Sequence, residues 1–344
     1  MIQTWRWCSS LALAVAAGLG GIGCEALTAR NTVPDELEGP ALLITTTDFA
    51  TGALSVYDLE RDVMYADVAF ASSDAIPFSD GEYVYLLNRF MHDYVSVHDP
   101  SDGFGLVAEH AIVTPEATSA NPHGLAFVDV GRAVVSLYGA SQVQIHDFLR
   151  APGASLVGTV DTSMLEDEDE IAETEFAYVD GGRAWVLSHP VNRLDGWTPV
   201  GFDQLVEVDV DSAELIDLDS EITGVQGIPL PCAWAREHRP HPTDAGHLLV
   251  LCEGVVDVDL EAATWDWHVP PERFPDGADM DYLQPQDFVV SKDGLHTVVA
   301  IYTADFSEVE LWEVDKDAPA TLLAGGLQSA ERSLEVHEGE LFFG

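Results

Sequence analysis

A histidine and several acids occupy comparable places in a chain that repeats. Counted back from the glycine that turns each hairpin, and to within one residue, the same place is held by Asp74, His123, Glu175, Gln286 with Asp287 beside it, and Glu331. Equal distances from equivalent turns put such residues at one end of equivalent strands. On that register Tyr138 stands opposite His123 and Ser188 opposite Glu175. If the strands share an axis, one channel mouth gathers these side chains. Converging carboxylates on a rigid ring suit a hard cation such as Ca²⁺, with Glu175, Asp287 and Glu331 as its ligands. His123 among acids could instead act as a general base. Arg89 and Arg332 are the cations placed near the same end. A solvated polar funnel is the plainer outcome.

The elements that must position these residues recur along the chain. One is a glycine turn followed by an apolar strand: "SDGEYVYLL", "VDVGRAVVSLYG", "VDGGRAWVLSH", "TDAGHLLVLCEG", "SKDGLHTVVAIY" and "HEGELFFG". The turn glycines are Gly81, Gly131, Gly182, Gly246, Gly294 and Gly339, each where a tight hairpin needs positive φ. The other is a strand ending in aspartate: "LSVYD", "VSVHD", "VQIHD", "LVEVDVD", "VVDVD" and "LWEVD". Alternating apolar and polar residues in both sets indicate half-buried strands. Repeats of roughly 45 to 60 residues, each holding four short strands, predict an all-β propeller of antiparallel blades. The first segment supplies three strands and the last, "SLEVHEGELFFG", supplies two. The expectation is seven blades with the last incomplete in this chain; six blades with a surplus strand is the alternative.

The stretches "TTDFATGALSVYDLE", "LLNRFMHDYVSVHDP" and "NPHGLAF" resemble the YVTN/YncE-like, lactonase-like superfamily of seven-bladed propellers. They also resemble lipoprotein-like surface propellers of unknown function from bacteria such as myxobacteria. The resemblance implies a fold more than an activity, because propellers host unrelated functions.

Several segments stand outside the repeat. "LEDEDEIAETE" (Leu165 to Glu175) and "DGADMD" (Asp276 to Asp281) are acidic loops on the mouth face, and neither has EF-hand spacing. The fourth blade carries the insertion "SHPVNRLDGWTPVGFD", whose Trp197, Arg193 and Asp195 could wall a pocket. "HRPHP" (His238 to Pro242) reads as a surface turn on the opposite face, after an inner strand "CAWA". No G-x-S-x-G turn, P-loop or H-E-x-x-H is present.

The chain of 344 residues carries 60 acidic and 14 basic residues, for a net charge of −46. Such a surface repels nucleic acid and anionic headgroups, so neither is an expected partner. The first 24 residues have the layout of an export signal: Arg6, the apolar run "LALAVAAGL", then "GGIGC" ending at Cys24. That ending is similar to a lipobox and makes Cys24 the expected lipidation site. Residues 25–40 follow as a polar tether and 41–344 as the propeller. Glu25 lacks the aspartate of inner-membrane retention, so outer-membrane anchoring is expected, with the membrane touched only through the lipid. In an oxidising compartment Cys232 and Cys252 are expected to form a disulfide.

The sequence therefore predicts an exported, lipid-anchored, monomeric propeller. Its expected role is a noncatalytic scaffold for a protein or small molecule, with a possible Ca²⁺ site. A lactonase-like hydrolase using the mouth histidine and carboxylates is the alternative.

Overall fold

Alternating side chains make strands here because each blade buries both of its faces against neighbouring blades. The computed structural model describes residues 3–6, 37, 39–115, 118–275, 285–303, 305, 307–327 and 334–343. Its first blade has three strands, Ala41–Thr47, Gly52–Asp58 and Val63–Ala71. The second, third, fifth and sixth blades have four strands each, with inner strands Ala75–Ser79, Pro122–Asp129, His238–Pro240 and Pro285–Val290. The fourth blade has five, from Thr174–Asp180 at the centre to Glu214–Ile216, with Ile228–Pro229 added alongside Gln204–Asp209.

Apolar clusters sit between consecutive blades. Leu54 and Val56 of the first blade meet Val84 and Leu86 of the second, and Tyr85 and Leu87 meet Leu125 and Val135 of the third. Val134 and Ile145 meet Val186 and Val206 of the fourth. Phe176, Trp185 and Leu187 meet Leu248 and Val250 of the fifth, and Leu249 and Leu251 meet Phe288 and Val299 of the sixth. Each such side chain, fully buried, contributes about 1.5–3 kcal/mol, so stability is distributed around the ring.

The turn chemistry follows the repeat. The six expected turn glycines all have positive φ, from 71° at Gly131 to 94° at Gly81. At Gly131 a Cβ would also lie 2.4 Å from Leu149 Cγ, so glycine is required twice over. The aspartates that end the third strands cap the turns that follow. Asp209 Oδ1 accepts from the N–H groups of Asp211 (2.9 Å) and Ser212 (3.0 Å), and Asp259 Oδ1 from Glu261 (3.0 Å) and Ala262 (2.8 Å). Asp58, Asp99 and Asp147 cap their turns likewise. Part of the acidity of the chain is thus turn architecture.

The blade count corrects the expectation of seven. Six sheets form blades, and the last hairpin, Leu334–His337 with Glu340–Phe343, does not begin a seventh four-stranded one. It pairs with Gln3–Arg6 in a separate three-stranded ribbon, with Arg6 opposite Glu340 and Gln3 opposite Phe343. That ribbon closes the ring: Leu334 and Leu341 pack on Val289, Val298 and Leu311 of the sixth blade, and Phe342 meets Tyr57 of the first at 6.2 Å. A glycine turn before an apolar strand looks the same in sequence whether it opens a blade or closes a ring.

The fifth blade also departs from its expected register. Its inner strand is His238–Pro240, so "HRP" belongs to the channel and not to a surface turn. The expected strand "CAWA" is instead a strap leading into it. The disulfide itself is present: Cys232 and Cys252 are bonded with Cα atoms 5.6 Å apart and a sequence separation of 20. Closing a loop of that size contributes about 3 kcal/mol on the chain-entropy argument. Reduction with dithiothreitol should therefore lower the urea midpoint by an equivalent amount. A Cys232→Ser/Cys252→Ser variant, measured without reductant, should match the reduced protein.

Candidate functional site

The inner strands deliver side chains to the mouth through a shared irregularity. Ser136 pairs with Gly124 and Leu137 with Pro122, which leaves His123 as an extra residue between them. In the fourth blade Ser188 pairs with Thr174 and Val186 with Ala177, so Glu175 and Phe176 oppose one residue. In the sixth, Pro285 pairs with Ile301 and Asp287 with Ala300, leaving Gln286 over. These are β-bulges, which re-aim side chains at the rim of a sheet.

His123, Glu175 and Gln286 line a pocket of about 360 Å³ together with Asp74, Arg89, Asn121 and Tyr138. Five of the seven mouth residues expected from sequence are therefore brought together. Asp287 is adjacent but turned away: its carboxylate is fully buried against Arg239 Nη2 at 3.2 Å and the N–H groups of Phe288 and Leu334 at 2.7 Å. Glu331, Arg332, Cys24 and the loop Asp276 to Asp281 lie outside the described residues. Of the expected metal trio, Glu175 lines the pocket and Asp287 is turned away from it, while Glu331 is outside the described residues.

Two histidine–carboxylate pairs face the cavity. His123 Nδ1 lies 2.8 Å from Glu175 Oε2, and the His123 ring stacks on Tyr138 at 4.5 Å. His189, also in the wall, has Nδ1 at 2.9 Å from Asp203 Oδ1. Asp203 is fully buried, and its Oδ2 accepts the Ala235 N–H at 2.7 Å. A carboxylate on Nδ1 fixes that nitrogen as the donor and leaves Nε2 as the basic one. Burial alone would lower the His189 pKa; the Asp203 carboxylate, with Glu175 and Glu173, outweighs it and raises it. Burial and then the Glu175 charge raise the Tyr138 phenol, which stays neutral.

The rest of the wall comes from the two irregular segments of blades four and five. In the insertion, Val191–Asn192 pairs with Thr198–Pro199, and Asn192 Oδ1 caps the turn through the N–H groups of Leu194 (2.9 Å) and Asp195 (3.1 Å). That turn lays Trp197 along Tyr138 at 6.2 Å and sets the Arg193 guanidinium 5.2 Å from Tyr138 and 5.3 Å from Trp197. Trp197, Arg193 and Asp195 thus stand behind Tyr138 and outside the pocket lining; of the insertion, His189 at its start reaches the wall. The strap from Cys232 contributes Trp234, Ala235 and Arg236, with Trp234 edge-on to His189 at 4.4 Å. Cys232 O accepts the Asp203 N–H at 2.8 Å, so the disulfide anchors the strap to the carboxylate that orients His189.

His189 and Asp203 had a sequence signal that the repeat obscured. They begin and end the insertion, immediately beyond the paired residues Ser188 and Gln204, so neighbouring strands were bound to bring them together. Arg236 and Trp234 had none, because the strap follows no strand period.

Two further clusters of possible metal ligands occur among the described residues: Asp167, Asp169 and Glu173 in the acidic loop, and His296, Glu313 and Asp315 on the sixth blade. Either suits a divalent ion, with no preference for Ca²⁺ set by the residue types alone.

No protein-family model matches the chain, and no curated protein matches it. Solved structures do share its fold. A protein from Lactobacillus plantarum is 14% identical, with a TM-score of 0.54 over 83% of this chain and 81% of its own. A Bacteroides uniformis protein provisionally named a 6-phosphogluconolactonase is 14% identical, with a TM-score of 0.53 over 84% of each chain. A streptogramin B lyase is 10% identical, with a TM-score of 0.51 over 89% of this chain and 86% of its own. These likenesses are of fold: an all-β propeller distantly related to several propellers, lactonase-like ones among them.

Proposed function

We propose that the channel mouth is a general acid–base site that opens a small lactone or ester. The observation that carries this reading is the pair of histidine–carboxylate couples on one pocket of about 360 Å³, a size suited to a small ligand. His189, held by Asp203, takes a proton from water as it attacks the carbonyl. His123, held by Glu175, returns a proton to the departing alkoxide. Arg89, paired with Asp74 at 2.5 Å, and Arg236 line the same pocket and are the groups offered to a developing oxyanion. With a net charge of −46 and Asp74 and Glu175 in the wall, the site favours neutral over phosphorylated substrates. The propellers named for lactonase and lyase activity support this reading over a noncatalytic scaffold. The test is turnover of a panel of neutral lactones and aryl esters by the wild-type protein and a His123→Ala/His189→Ala variant. Turnover by the wild type alone supports the assignment; no turnover by either, or equal turnover by both, removes it.

We further propose that the protein is exported and anchored through Cys24, acting as a monomer outside the cytoplasm. Cleavage there removes Gln3–Arg6, so the hairpin Leu334–His337 with Glu340–Phe343 closes the ring of the mature protein without it. The Cys232–Cys252 bond supports an oxidising compartment. Globomycin should leave an uncleaved precursor, and Cys24→Ser should release the domain from membranes. A mature N-terminus beyond Cys24 without acyl mass contradicts this.

A further inference from the structure

The acidic loop ahead of the fourth blade holds charge that the fold leaves uncompensated. Its first carboxylates are spent on backbone: Asp167 Oδ1 accepts the Asp169 N–H at 2.9 Å, and Asp169 accepts from Ile171 at 3.0 Å and Arg193 at 2.8 Å. Glu173 differs. The residue is 1% exposed, its Oε1 meets Arg193 Nε at 2.7 Å, and its Oε2 is buried with no hydrogen-bond donor among the described residues. Asp167 Oδ2 is buried without a donor as well. An anionic oxygen removed from water without a partner is costly. The Arg193 guanidinium meets Glu173, whereas the carboxylates of Asp167 and Asp169 are met by backbone N–H groups.

The three residues each place an oxygen within 4.8 Å of the other two. Oxygens on opposite sides of one Ca²⁺-sized ion lie roughly 4.6–5.2 Å apart, so the spacing falls within what one ion spans. We propose that Asp167, Asp169 and Glu173 bind a hard divalent cation of the Ca²⁺ class. The ion completes a clasp that the protein has half built: Arg193 joins Glu173 to the carbonyl of Tyr138, and Asn192 Nδ2 reaches Glu168 at 3.4 Å. It thereby fixes the insertion that carries Trp197 against Tyr138. The site is independent of the hydrolase reading, and binding alone tests it.

The probe is Tb³⁺, which takes Ca²⁺ sites and emits when a nearby indole is excited. Trp197 is close enough to serve, through Arg193, which touches both the ring and Glu173. Titrated into the full chain in high KCl to suppress diffuse binding, Tb³⁺ should give saturable emission that Ca²⁺ displaces. Asp167→Asn and Glu173→Gln should each weaken the midpoint by at least about tenfold, since ligand charge sets affinity at such sites. Asp167→Asn keeps the oxygen that caps Asp169, so it reports even if Glu173→Gln disturbs folding. Trp197→Phe should dim the signal at unchanged midpoint, and Glu313→Gln/Asp315→Asn should change nothing. An unchanged midpoint in Asp167→Asn, or no saturable emission from the wild type, overturns the proposal.

Discussion

Replacing His189 with alanine should lower kcat by about 10²–10⁴-fold on whichever ester the pocket accepts, the usual worth of a positioned general base. The ring is 2% exposed and touches the cavity beside Trp234, so its loss removes a base and leaves the wall. Asp203→Asn should cost a comparable factor through a different route. The amide would still reach Nδ1, but its NH₂ group could donate there and free the wrong nitrogen, and it would no longer stabilise the imidazolium. It should therefore lower kcat with little effect on KM. His123→Ala should cost less on substrates with good leaving groups, because an aryl alkoxide departs without a proton.

Replacing Asp287 with alanine should destabilise the protein by about 1–3 kcal/mol, the cost of leaving the buried Leu334 N–H and the half-buried Arg239 without their acceptor. Arg239 donates to Asp287 Oδ1 at 3.2 Å and to the carbonyl of Leu334 at 3.1 Å, and Asp287 Oδ2 accepts the Leu334 N–H at 2.7 Å. These contacts join the fifth blade, the sixth blade and the closing ribbon at one point. The loss should appear in the urea midpoint. Arg239→Ala should cost much less in the Asp287→Ala background than in the wild type, since both lose the same contacts. A loss below about 1 kcal/mol would mean that the ribbon is held by its apolar packing alone.

How far the sequence could be read follows from which signals are periodic. Strand alternation, the positive-φ glycines and the capping aspartates repeat with each blade, so the propeller was legible from Gly131 and Asp209 onward. The mouth positions His123, Glu175 and Gln286 were legible because they share a distance from those turns. Their bulges were not: a single extra residue leaves no mark on composition, yet it turns Glu175 toward His123 and Asp287 toward Arg239. The seventh blade was a misreading of the same kind, since "HEGELFFG" carries every local mark of a blade and pairs instead in a separate three-stranded ribbon. In the fifth blade the apolar "CAWA" outweighed "HRP" as a strand candidate. Tertiary pairing decided otherwise, because Arg239 has Asp287 and Glu335 to meet across the channel. The His189–Asp203 couple straddles an insertion and falls outside any repeat.

The most direct test of the acid–base site is the pH dependence of kcat/KM on an accepted ester, in the wild type and in Asp203→Asn. A base works only when deprotonated, so activity must fall as pH drops through the His189 pKa. Because Asp203 holds that pKa above the ordinary histidine value, the wild-type acid limb should lie above about pH 6.5. Removing the carboxylate charge should move the limb to lower pH as well as lower the plateau. A rate that is flat across the histidine range, or an acid limb that stays in place in Asp203→Asn, would contradict the assignment of His189 as the base.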